Sequence, residues 1–140
     1  MHSDPVTSKP RVLIVEDEIL IAEELKVRLS LLGFSVIAAV ESGEEGIAIA
    51  TRERPDLVLM DIRLKGKKDG VQAAEEIHGQ VDVPVVYLTA YSDRLTVDRV
   101  KGTEYDGFIL KPFRAGELKS TIEVAMRRHA LRLKDKKQTN

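Results

Sequence analysis

Five short apolar runs divide this sequence, and residues at helical spacing follow each of them. The runs are residues 12–15, 34–40, 57–60, 83–89 and 108–110. Val12-Leu13-Ile14-Val15 and Leu57-Val58-Leu59-Met60 are continuously apolar and then stop abruptly at an acid. Such runs fit strands buried on both faces. Between the runs, Ile21, Leu25, Leu29 and Leu32 repeat with a helical period, Glu24 and Arg28 stand four apart, and Gly33 closes the segment. Ser42-Gly43 opens a second helix carrying Ile47, Ala48 and Ala50, which must stop before Pro55. Asp69 is placed to cap a third helix through Val71, Ala74 and Ile77. Ser92 begins a weaker fourth helix over residues 92–101, and Leu118, Ile122, Ala125, Met126, His129 and Leu133 share one face of a last one. Pro84 is confined to a strand start, as strands demand.

Alternating strands and helices imply a parallel sheet covered on both faces, with right-handed crossovers. Five units are too few for a closed eight-stranded barrel. An open, doubly wound α/β sheet remains, whose ligand site lies outside the carboxyl ends of the strands. The residues do not by themselves fix the strand order. The 140 residues suffice for one domain with a real core. Residues 1–10 read as a disordered lead-in, 11–133 as the domain, and 134–140 as a disordered charged tail. With 22 Lys plus Arg against 23 Asp plus Glu, the net charge of −1 speaks against a dedicated nucleic-acid binder. There is no cysteine, hence no disulfide framework and no thiolate metal site. No apolar run reaches membrane-spanning length and the N-terminus has no signal-like core, so the expected location is the cytoplasm.

The residues just past each strand carry the chemistry. Glu16-Asp17-Glu18 follow the first, Asp61 ends the third, Thr89 ends the fourth, and Lys111-Pro112 end the fifth. In a parallel sheet these converge at one edge. Clustered carboxylates repel, and a hard divalent cation offsets that best. A carboxylate can also act as a nucleophile toward phosphorus, with metal and lysine neutralising the transferred group. Taken singly, Asp17 or Asp61 is a helix cap, Thr89 a strand residue and Lys111 a solvated lysine; the joint pattern is what points to phosphoryl chemistry.

With those stretches, and with Val86-Tyr87-Leu88-Thr89-Ala90-Tyr91 and Ile109-Leu110-Lys111-Pro112-Phe113, the chain resembles the receiver domain of two-component response regulators over residues 11–128. It is similar in extent to single-domain, chemotaxis-type regulators. The resemblance implies a flavodoxin-like fold with strand order 2-1-3-4-5. It implies that Asp61 accepts a phosphoryl group from a histidine kinase or histidine phosphotransfer protein. Glu16, Asp17, Asp61 and the backbone carbonyl of Arg63 would hold Mg²⁺, with Mn²⁺ an alternative. Lys111 would pair with the phosphoryl oxygens, Thr89 and Phe108 would switch, and the peptide to Pro112 would be cis. Such a domain is a signalling module rather than an enzyme, catalysing only its own phosphotransfer and dephosphorylation. The output surface would be the fourth helix, fifth strand and last helix, facing a target or a second copy.

Glu16 stands where Asp is commonest in the family, Gly66 where proline is frequent, and the segment 61–70 is one residue longer than usual. From Lys111 onward nine Lys or Arg face three acids, Glu117, Glu123 and Asp135. No DNA-binding domain is expected, and these are read as a dimer, kinase or target surface. The chain is expected to be either a single-domain regulator or part of a longer one. The rival readings are a receiver-like binding module that is not phosphorylated and a Mg²⁺-dependent phosphohydrolase. The phosphohydrolase would need its nucleophile after the first strand in a D-x-D pattern, and a cap domain, and neither is present. A nucleotide-binding domain lacks its glycine-rich loop. His2, His78 and His129 are scattered and form no donor or metal cluster.

Arg63 and Tyr91 lie two residues beyond Asp61 and Thr89, and both are bulky. They are expected to shield the phosphoryl group from water. Replacing both with alanine should shorten the lifetime of the phosphorylated protein, measured as the decay of the phosphoryl adduct; an unchanged lifetime would remove that role.

Overall fold

Apolar runs without alternation are what a doubly covered sheet requires, and the computed structural model, which describes residues 8–90 and 106–139, has that architecture. In chain order the elements are β1 (Arg11–Val15), α1 (Ile19–Leu31), β2 (Ser35–Val40), α2 (Gly43–Glu53), β3 (Leu57–Asp61), α3 (Gly70–His78), β4 (Val85–Ala90), β5 (Gly107–Lys111) and α4 (Ala115–Thr139). The five strands are all parallel, in the order β2-β1-β3-β4-β5. The helix expected over residues 92–101 lies outside the described residues.

Successive side chains of a strand point to opposite faces. Leu13, Val15, Val58, Met60, Val85 and Tyr87 therefore meet Ala73, Ala74 and Ile77 of α3 and Ala50 of α2 on one side. Val12, Ile14, Leu57, Leu59, Val86, Leu88 and Ile109 meet Leu25 and Leu29 of α1 and Leu118, Ile122 and Ala125 of α4 on the other. Burying a side chain of this size stabilises the fold by about 1.5–3 kcal/mol.

The helix ends follow the expected chemistry. Gly33, at φ +99°, closes α1, and the amides of Gly33 and Phe34 return to the carbonyls of Ser30 and Leu29. Ser42 accepts the Glu45 amide at 3.1 Å. Asp69 and Gln72 exchange hydrogen bonds as a capping box. Glu24 and Arg28 pair at 3.3 Å.

Two expectations fail. Ala48 faces solvent, and Gly46, Ile47, Ile49 and Ala50 take the inward or half-buried positions of α2. There α2 runs so close to β1 that a Cβ on Gly46 would meet Val15 at 2.8 Å. The last helix also does not end at Leu133 but continues to Thr139. Residues 134–139 contain neither Gly nor Pro, and lysines near a helix C-terminus favour its dipole.

Asp106 is buried at the amino end of β5. One carboxylate oxygen accepts the Val85 amide at 2.9 Å, and the other pairs with Arg132 of α4. Among the described residues no helix is long and apolar enough to cross a membrane.

Among the described glycines, Gly70 leaves the least room for a side chain. A Cβ there would lie 1.9 Å from the Asp61 carbonyl oxygen. Gly116, by contrast, has open space around it. Gly70→Ala should lower stability by about 1–3 kcal/mol, as overpacking does. Gly116→Ala should raise it by about 0.4–1 kcal/mol. Chemical denaturation of the two variants checks both signs.

Candidate functional site: an acidic cleft at the carboxyl edge of the sheet

The sheet register decides which side chains meet. Val15 of β1 stands opposite Met60 of β3, so Glu16 and Asp61, one residue further on, come side by side. Asp61 stands opposite Leu88 on β4, and Ala90 opposite Lys111 on β5. Glu16, Asp61, Thr89 and Lys111 thus share one edge.

Glu16 is 1% and Asp61 4% exposed. Lys111 reaches across β4, where its Nζ donates to Asp61 Oδ2 at 3.2 Å and lies 2.8 Å from Glu16 Oε1. Buried Glu16 Oε1 thus has the Lys111 ammonium as its partner. Backbone amides hold the other carboxylate oxygens. The Arg63 amide donates to Asp61 Oδ1, the Glu18 amide to Glu16 Oε2 and the Lys65 amide to Asp17 Oδ2, each at 3.0 Å. Buried Thr89 donates its hydroxyl to the Ala90 carbonyl at 3.3 Å. The Phe108 ring is half-buried, 5.9 Å from that of Tyr87. The Lys111–Pro112 peptide is cis. Tyr91 lies outside the described residues.

The cluster carries more negative charge than Lys111 can balance. Burial pushes the Glu16 carboxyl up to about 7, against the lowering pull of Lys111, and neighbouring Asp61 adds to the rise. Burial disfavours the Lys111 ammonium, but Glu16 and Asp61 outweigh that and hold its pKa above the ordinary value. Oxygens of Glu16, Asp17 and Asp61 lie within 4.8 Å of one another. Hard carboxylate oxygens gathered this closely, with a single ammonium paired to them among the described residues, fit Mg²⁺. Arg63 lines the same cleft as Asp17.

Sequence reading missed the backbone amides that hold the three carboxylates, the Arg63 amide on Asp61 among them, and the role of one glycine. The Lys65 amide on Asp17 and the Glu18 amide on Glu16 come from backbone paths that no residue type announces. Gly70 had a signal, a glycine directly after a capping Asp, but its close approach to Asp61 is a tertiary fact. Gly66 sits at φ +107°, which explains the missing proline, since a proline ring locks φ near −65°. The described histidines lie apart from the cluster: His78 contacts the Val83 carbonyl at 3.1 Å and His129 lies 3.3 Å from Asp82.

Sheet order, cleft position and acid–lysine cluster together define a doubly wound signalling domain. The response regulator receiver domain family matches residues 12–123, and the chain belongs to that family of two-component signalling proteins. Among curated proteins it is similar to a probable transcriptional regulator ycf27 of Porphyridium aerugineum, 40% identical over 86% of this chain and 49% of that protein. It is also similar to the transcriptional regulatory protein PdtaR of Mycobacterium tuberculosis, 37% identical over 84% of this chain and 57% of the relative. The chain therefore spans about half the length of these relatives. Among solved structures it superposes on the signal receiver domain of a modulated diguanylate cyclase from Desulfovibrio desulfuricans. The TM-score is 0.83 at 36% identity, over 89% of this chain and 99% of the other. The receiver domain of a sensor histidine kinase from Pseudomonas aeruginosa, solved with magnesium coordinated in its active-site cleft, gives 0.77 at 29% identity, over 85% and 98%.

The raised Glu16 carboxyl has a consequence for stability. The unfolded chain ionises Glu16 near 4.5, while the folded chain holds the proton to about 7. Between those values the unfolded state sheds its proton first, so this group's contribution to stability falls as pH rises. With a metal chelator present, Glu16→Gln should gain thermal stability relative to wild type between about pH 5 and about pH 8. Mg²⁺ should narrow the gap at the higher pH. Melting curves at both pH values, with and without Mg²⁺, measure it.

Proposed function

We propose that this receiver is a phosphoacceptor switch, phosphorylated on Asp61 by a histidine kinase or histidine phosphotransfer protein. One observation carries the reading: a buried aspartate is bridged to a second buried acid by the Lys111 ammonium, with Asp17 beside them. An Asp61 carboxylate oxygen attacks phosphorus, the phosphorus–nitrogen bond of the phosphohistidine breaks, and the imidazole leaves with the electron pair and is protonated from solvent. Glu16, Asp17, Asp61 and the Arg63 carbonyl would hold Mg²⁺, which neutralises phosphoryl oxygens when bound. Lys111 gives up its contact with Asp61 and pairs with a phosphoryl oxygen. The Arg63 amide, already on Asp61, holds the acceptor in place.

The added charge of about −1.5 to −2 is the switch input. The Thr89 hydroxyl, on the Ala90 carbonyl in this structure, turns to donate to the new oxygens. Phe108, half-buried beside Tyr87, turns its ring inward in the switched state. β5 and α4 then offer a changed face to a downstream protein or a second copy; Leu110, Val124 and Leu131 already expose apolar surface on those elements. Loss of the phosphoryl group to water resets the switch.

Incubation with a small phosphodonor should add one phosphoryl group to the intact mass in the presence of Mg²⁺, and none with chelator. Asp61→Ala should take none. No adduct on folded wild type would favour a binding module that is not phosphorylated.

A further inference from the structure

The loop from β3 to α3 lines a cleft beside Asp17 and is itself strongly basic. Arg63, Lys65, Lys67 and Lys68 fall within six residues, with no acid until Asp69. Lys68 is neutralised by Glu76. Lys65 and Lys67 are exposed and form no ion pair among the described residues. The backbone fixes where this charge sits. The Lys65 amide is bonded to Asp17 Oδ2, the chain turns at Gly66 with φ +107°, and Gly70 returns its amide to the Ile62 carbonyl at 2.9 Å. Arg63 and Lys65 line the cleft, about 660 Å³, together with Asp17 and Glu18.

A phosphodonor is an anion, and Asp17 at this cleft is clustered with Glu16 and Asp61, which among the described residues are paired with the Lys111 ammonium. Without compensation the donor is repelled by the group it must reach. Charges at a cleft mouth act over about a Debye length, roughly 10 Å at 0.1 M salt, and change encounter rates.

We infer that the β3–α3 loop is an electrostatic rim that captures the anionic phosphodonor, with Lys65 and Lys67 supplying the attraction. The inference rests on Asp61 being the phosphoacceptor. The rim acts with opposite sign on a cation. The same lysines weaken the binding of a divalent metal to the carboxylates while speeding capture of the donor.

The test uses the full chain and the double variant Lys65→Glu/Lys67→Glu, with acetyl phosphate as the dianionic donor and saturating Mg²⁺. Initial rates of the intact-mass adduct are measured at low and high salt, and Mg²⁺ affinity by calorimetry. At low salt the variant should be slower by about three- to tenfold. The deficit should shrink at about 0.5 M salt, where screening is strong. Its Mg²⁺ affinity should rise. Lys65→Gln/Lys67→Gln should fall between the two. Equal rates at low salt, with wild type phosphorylated normally, would overturn the rim and leave the phosphoacceptor intact. A salt-independent deficit with weakened Mg²⁺ binding would also overturn it, because that is the mark of a distorted loop. Absence of any adduct on wild type would sink the phosphoacceptor reading, and the rim with it.

Discussion

Two buried carboxylates on neighbouring parallel strands need a cation between them, and in this chain Lys111 provides it. Register alone brings Glu16 and Asp61 together, and desolvation makes that juxtaposition costly. The ammonium comes from β5, with β4 between it and Asp61 and both β4 and β3 between it and Glu16. Only a long, flexible side chain spans that distance. The sheet order, the position of Lys111 at the end of β5 and the acids at the ends of β1 and β3 are therefore one requirement seen from three strands.

The remaining lone pairs are served by backbone. Each of the three carboxylates accepts an amide from a loop at the carboxyl edge. The longer arm of Glu16 folds back onto the amide two residues ahead and still reaches Lys111, so an extra methylene is absorbed without moving the strand. Backbone donors are fixed by loop path rather than by residue identity. Loop length and the glycines that shape it thus matter to the acid cluster as much as the acids do.

That division explains what could be read from the residues. Apolar runs ended by acids located β1 and β3, and Thr89 and Lys-Pro marked the ends of β4 and β5, because buried strands and charged ends are written in residue type. Ser42, Asp69 and Gly33 were legible as caps for the same reason. Ala48 was misplaced because small residues satisfy either face of a helix, and the close packing of Gly46 on Val15 is what fixes the rotation. The extension of α4 to Thr139 was missed because a charged stretch reads as tail when its only visible feature is polarity. The Lys65 amide on Asp17 links residues 48 apart, and no local pattern encodes it.

Asp106 carries a consequence at the opposite edge of the sheet. Its buried carboxylate is shared between the start of β4 and Arg132, which lies beyond the last residue, 123, of the family match. Arg132 is itself partly exposed to solvent, so it ties α4 to the sheet while Asp106 stays buried. The contacts of the sheet therefore run past the segment that the family match outlines. A chain trimmed at the family boundary keeps every residue of the acidic cleft and the Val85 amide on Asp106, but loses the cation that the far end of α4 brings to that carboxylate.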